Sequence, residues 1–309
     1  MADEPGKNEI GNYATQLTTL KNHANIASYF NLKPNWDSDF LLGGYDTYLK
    51  NAFATNAEAV SYDLYLRAKA SAVLNNIRTA DFYKNLAAAR TASMNANKPF
   101  QAFVQTGANW IDKSTDQVNS RNKLTIQEMY LEANAALAMG AKGIHYFNLI
   151  ESVKQVEAGD NDSGLITIRG EANNNEDANG NYAYYNAAKK INTYIAKIDE
   201  VLMNATSKGV VSNNSAVTGR VTNYGKISSV SGDIMVGCFD YYGKEAYLIV
   251  NISPDGGGTG SEVDAVLNFS EPQQGTYIAM GGTDWTTMSS TSQFTKNIPA
   301  GESVLVVLD

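Results

Sequence analysis

Apolar residues in the first two-thirds of the chain alternate between short runs and helical spacing. Residues 8–23 place Ile10, Tyr13, Leu17 and Leu20 three and four apart, which predicts one face of a helix. Ile26 to Leu32 is a short apolar run stopped by Lys33-Pro34, and predicts a strand. Tyr45, Tyr48, Leu49 and Phe53 return to helical spacing over 45–57, and Ala59 to Tyr65 reads as the next strand. Asp81 is placed to cap a helix over 82–96 with Phe82, Leu86 and Ala89 on its apolar face. Pro99 to Gln105 is a third strand. Thr125 and Glu128 form a capping-box pattern ahead of Ile126, Met129, Tyr130, Ala133 and Leu137, with Gly140 as terminator. Gly143 to Leu149 reads as a fourth strand. A polar loop at 157–181 precedes a long helix over 183–204, with Ile191, Ile195, Ile198 and Leu202 on its buried face.

The pattern changes near Ser207-Lys208-Gly209. From there to Asp309 only strands and turns are predicted. Residues 233–239 and 245–251 form a hairpin around Gly243, Val263 to Phe269 alternates apolar and polar, and Ser303 to Leu308 closes the sequence. The expected organisation is therefore α/β over residues 1–206 and an antiparallel β-sandwich over 207–309, each an ordinary domain size.

The chain has 309 residues, of which 43% are hydrophobic, enough for a sizeable core. A net charge of −8 argues against a nucleic-acid partner, which calls for a basic footprint. No apolar run approaches the ~20 residues of a membrane span. Cys238 is the single cysteine, so no internal disulfide forms, and its setting predicts a buried strand residue. Two histidines, His23 and His145, and one cysteine do not make an ordinary zinc cage, so no metal is expected. The 18 tyrosines suit a polar, uncharged ligand. Gly256-Gly257-Gly258 lacks the lysine and following helix of a phosphate loop.

Several segments occur in a telling order: Asp3-Glu4-Pro5-Gly6, Tyr29 to Pro34, Ser61 to Tyr65, Phe103 to Thr106, and Ala138 to Phe147. Together they resemble the later part of the TIM barrel of β-galactosidase-like glycoside hydrolases of the large retaining clan. The Gly-Ala-Lys-Gly-Ile-His-Tyr-Phe run at 140–147 is the most specific of them. The resemblance implies that Asp3-Glu4-Pro5 ends barrel strand four, and that the strands ending at Leu32, Tyr65, Gln105 and Phe147 are strands five to eight. It implies a (β/α) barrel lacking its first three strands here, with the open edges covered by a homodimer or an upstream segment. It implies a carbohydrate substrate, no cofactor, and an extracellular or periplasmic location if an upstream leader has been removed.

Glycoside hydrolysis usually uses two carboxylates, one held protonated by burial or a like-charged neighbour. The resemblance assigns the proton donor to Glu4; the bland alternative is that Glu4 caps the first helix. The family's nucleophile is a Glu at the end of strand seven, where this chain has Gln105. The second carboxylate is then Asp63 or Glu151, or the site is non-catalytic. Asn31 and Gln105 are candidates for hydrogen bonds to sugar hydroxyls. Trp36, Tyr65, Trp110 and Tyr146 stand at or near strand ends, where an aromatic ring can stack on a sugar face. Trp285 in the β-rich tail is expected mainly to pack. His145, alternating with Tyr146, is expected to be a satisfied core histidine.

Overall fold

The computed structural model describes residues 2–24, 28–35, 37–40, 42–63, 65–66, 79–106, 110–112, 117–119, 124–147, 149, 164–165, 183–256 and 260–309. The first sheet is fully parallel. It comprises β1 (Ala2–Asp3), β2 (Tyr29–Leu32), β3 (Ala59–Tyr62), β4 (Phe100–Gln105) and β7 (Ile144–Phe147), in that spatial order. Helices α1 (Ile10–Ala24), α2 (Tyr45–Phe53), α3 (Thr79–Ala96) and α4 (Ile126–Ala138) lie between successive strands, as parallel neighbours require. A small antiparallel pair, β5 (Trp110–Asp112) and β6 (Gln117–Asn119), intervenes between β4 and α4. Helix α5 (Ala183–Asn204) leads out of this region.

The sequence pattern anticipates these elements closely, with local corrections. α3 begins at Thr79, so Asp81 falls inside its first turn rather than ahead of it. In α1, Ile10 and Leu17 are buried but Leu20 is half exposed, so the helix packs through its first two turns only. β3 ends at Tyr62 and leaves Asp63 just beyond the strand. The capping box of Thr125 and Glu128 is formed, and Gly140 takes φ 96° where α4 ends. The loop at 157–181 lies outside the described residues except Gly164 and Leu165.

The tail forms one antiparallel sheet, rolled toward a barrel, where two stacked sheets were expected. Its order is β13-β12-β14-β11-β10-β8, with β9 also on β12. The strands are β8 (Thr206–Ser212), β9 (Ile227–Ser231), β10 (Ile234–Tyr241), β11 (Lys244–Asn251), β12 (Val263–Ala279), β13 (Thr286–Ile298) and β14 (Ser303–Leu308). β12 carries register shifts between Asn268 and Gln273 and between Gln273 and Gly275. Before them it pairs with β9, and after them with β14. Such bulges bend a strand and let one sheet curl over itself. The β10–β11 turn places Tyr242 and Gly243 at φ 52° and 81°, the positive values of a tight hairpin.

Both faces of the central strands β10, β11 and β14 are buried. Met235, Phe239, Leu248 and Leu305 face the helices, while Val236, Cys238, Tyr247, Ile249 and Val306 fill a separate core inside the curl. The near-continuous apolar runs at 246–250 and 304–308 follow from having two dry faces. Helix α4 lies between the two sheets and is buried from Leu131 through Ala138. Its close seat on β10 needs Gly237, where a Cβ would fall 2.2 Å from the Ala138 carbonyl oxygen. Asn134, also buried, donates to the Gly301 carbonyl at 2.9 Å and accepts from Ser303 Oγ at 2.8 Å.

Candidate active site

The parallel sheet has two unlike faces. Phe30, Leu32, Val60, Tyr62, Phe100, Ala102 and Val104 point to the helices and are fully buried. The other face carries Asp3, Asn31, Ser61, Gln101, Phe103 and His145, several of them only half buried. Tyr29 on β2 and His145 on β7 stand three strands apart, roughly 14 Å in a flat sheet. Their rings are stacked with centroids 6.2 Å apart, and Phe103 stacks on His145 at 5.0 Å. The open face is therefore concave.

Across it runs a polar row fixed by register. Asp3 pairs with Asn31 and Asn31 with Ser61. Asn31 Nδ2 donates to Asp3 Oδ1 at 2.8 Å, and Ser61 Oγ donates to Asn31 Oδ1 at 3.0 Å. On β4 and β7, His145 Nε2 lies 2.5 Å from Gln101 Oε1. Burial pushes the His145 pKa below its ordinary value.

Glu4 follows β1 directly and donates its N–H to the Asn31 carbonyl at 2.8 Å. Its φ of 43° lies in the left-handed region, uncommon for a side chain of this kind. The chain around it is well braced. Tyr48 of α2 donates to the Pro5 carbonyl at 2.9 Å and accepts from the Lys33 N–H at 3.3 Å. Lys7 Nζ donates to the Asp39 carbonyl at 3.0 Å. Although Glu4 is an exposed residue, desolvation of its carboxyl raises its pKa. Asp63 and then Asp3 raise it further, Lys33 opposes them, and Asp37 adds a smaller upward push. Asp63 is half buried, and its N–H donates to the Leu32 carbonyl at 3.0 Å, continuing the ladder past β3.

Lys33 pairs with Asp37 at 3.3 Å and Asp39 at 3.2 Å. Burial works against the Lys33 charge, but its bonds to Asp39 and Asp37 outweigh it and hold its pKa above the ordinary lysine value. The loop after β2 is further tied to α3, where Asn35 N–H donates to Asn85 Oδ1 and Asn85 Nδ2 to Asn35 Oδ1. No group of three or more His, Cys, Asp or Glu suited to a metal ion occurs among the described residues.

The structure thus brings Glu4, Asp63, Asp3 and Asn31 together at one end of the parallel strands. Asn31 uses both polar side-chain atoms within the sheet. Tyr65 is buried, with its ring 6.2 Å from that of Phe147. Gln105 is fully buried, and its N–H donates to Glu132 Oε2 at 2.7 Å. Tyr146 faces the helical layer, where its hydroxyl donates to Asn192 Oδ1 of α5 at 2.8 Å, so it is not brought to Glu4. Trp36 and Glu151 lie outside the described residues, as does the side chain of Trp110 on β5. Trp285 is about one-third exposed beside β13, away from the parallel sheet. Lys33 and Asp37 belong to the electrostatic surroundings of Glu4, with Asp39 paired to Lys33, and were not anticipated. Their only signal in the sequence is the charge cluster after Leu32.

No family model matches the sequence, and no curated protein is similar to it. Solved structures with a distant likeness include a Paenibacillus polymyxa xyloglucanase of glycoside hydrolase family 44, at 10% identity and TM-score 0.36 over 98% of this chain and 61% of that one. A family 51 α-L-arabinofuranosidase from Bifidobacterium longum aligns at 11% identity and TM-score 0.39, over 99% and 64%. A maltogenic α-amylase from Thermotoga neapolitana aligns at 10% identity and TM-score 0.36, over 97% and 65%. The chain spans less than two-thirds of the length of each of these, and at such TM-scores the likeness carries no argument about chemistry.

Proposed function

We propose that this chain is a glycoside hydrolase-like protein acting on a carbohydrate, with Glu4 as proton donor and Asp63 as the ionised partner. The supporting observation is the placement of Glu4 and Asp63 just past β1 and β3, each bonded through its N–H to β2, where burial and the Asp63 charge raise the Glu4 pKa. In the reaction, Glu4 protonates the glycosidic oxygen as the C–O bond breaks. Asp63 either attacks the anomeric carbon or takes a proton from an attacking water. Glu151 is the alternative partner. The proposed substrate contacts are Asn31, Trp36, Tyr65, Gln105 and Trp110; Tyr146, turned to the helical layer, is not among them.

In this reading the five parallel strands correspond to strands four to eight of a (β/α) barrel. A further segment or a second copy covers the open edges of β1 and β7. Residues 1–206 act as the catalytic unit and 207–309 as its β-rich companion.

A panel of aryl glycosides tests the activity. Glu4→Gln is expected to lower a detected rate by about 10²–10⁴-fold, the usual worth of a positioned acid. Unchanged turnover in that variant rejects the assignment. One observation favours a second reading, a non-catalytic carbohydrate-binding protein: Gln105 stands where the resemblance calls for a nucleophilic Glu, and it is fully buried. Sugar binding by calorimetry without turnover supports that reading.

A further inference from the structure

Helix α4 holds a carboxylate that the proposed reaction does not use. Glu132 is buried in the middle of the helix, among Leu131, Ala133 and Ala136. Its two oxygens accept backbone N–H groups from two segments: Oε1 from Leu66, in the turn beyond β3, and Oε2 from Gln105, the last residue of β4. The register of β3 with β4 runs only to Tyr62 and Ala102, so both amides lie past the end of that ladder. Buried N–H groups need acceptors, and here one side chain supplies both. Asp63 itself is tied to β2 through the Leu32 carbonyl. Asp63 and Leu66 are thereby each held by a backbone hydrogen bond, one to β2 and one to Glu132.

We infer that Glu132 is a positioning residue, whose clamp on Leu66 and Gln105 holds Asp63 against Glu4. The inference rests on the pairing of Glu4 with Asp63 proposed above. Glu132 acts through the backbone amides of Leu66 and Gln105. It is not among the charges acting on Glu4, which are Asp63 from the end of β3, Asp3 from β1, and Lys33 and Asp37 from the loop after β2.

The test follows the Glu4 carboxyl by ¹³C NMR titration in the full chain. Asp63→Asn is expected to move the Glu4 midpoint to lower pH, since a like charge is removed. Glu132→Gln is expected to move it in the same direction, with the double variant moving it no further than Asp63→Asn alone, the signature of two changes acting through one contact. A folded Glu132→Gln protein with an unmoved Glu4 midpoint overturns the clamp while leaving the functional reading in place. An unmoved midpoint in Asp63→Asn overturns the paired-carboxylate reading itself. Glu132→Asp, which keeps the charge but shortens the reach, is titrated in the same way should Glu132→Gln not fold. Amide exchange in the unaltered protein supplies an independent arm. Protected Leu66 and Gln105 amides support the clamp, and exchange of either at an unprotected rate overturns it.

Discussion

The two sheets of this protein solve opposite problems. In the antiparallel sheet, consecutive residues such as Leu248 and Ile249 enter different cores, and both are completely buried. In the parallel sheet, one face is apolar and dry while the other is largely polar and in part open. Val60 and Val104 are buried against helices, while Phe103 and His145 on the concave face remain half accessible. Hydrophobic burial contributes roughly 25 cal/mol per Å², so the antiparallel sheet carries more of the stability per residue. The parallel sheet instead gathers Asp3, Glu4, Asn31, Ser61 and Asp63, groups that cost free energy to desolvate and that can do chemistry. Stability and reactivity are divided between the two.

That division can be tested by removing the same side chain from each sheet. Phe239→Ala empties a fully buried site and is expected to cost about 4 kcal/mol, whereas Phe103→Ala on the concave face should cost about 1 kcal/mol. Urea denaturation checks both, and equal losses would show the concave face to be covered in solution. Next in size is Gly237→Ala, which drives a methyl into the Ala138 carbonyl and is expected to cost about 3 kcal/mol. Asn134→Leu strands the Gly301 carbonyl and the Ser303 hydroxyl, for an expected loss of about 2 kcal/mol by thermal melting.

The smallest effect is electrostatic and has a definite sign. The Glu4 pKa is raised in the fold, so its contribution to stability is fully present below the ordinary glutamate value and is lost as pH rises through the raised one. Glu4→Gln should therefore stabilise the protein slightly at neutral pH and leave it unchanged at pH 3. A melting series across that window reads the difference, and a variant less stable at neutral pH would contradict the desolvated, like-charged setting of this carboxyl.

Periodicity exposes the elements because each one buries a repeating face. The capping box at Thr125, the hairpin at Gly243 and the closing strand at Ser303 to Leu308 are all local signals, and all are formed. Asp63 could be singled out because it falls at the end of a short apolar run, and Glu4 because of the family resemblance. Glu132 could not. It sits in an alanine- and leucine-rich helix, and its partners are amides 27 and 66 residues away. The charge pair formed by Lys33 and Asp37 was visible as composition, but its action on Glu4 depends on β1 and β2 lying side by side. The rolled antiparallel sheet was equally hidden, because bulges within β12 leave the apolar alternation of its first half intact.

Helix α4 reaches both sheets from a stretch of three residues. Glu132 grips the strand ends beside the candidate site, and Asn134 grips the turn and strand at Gly301 and Ser303. The helix is thus a strut shared by the reactive half and the stable half. A protease nicking the turn before β14 would leave every residue near Glu4 in place, yet it would loosen the beam on which they are mounted. The tail in this sense serves as the foundation of a site built on the other sheet.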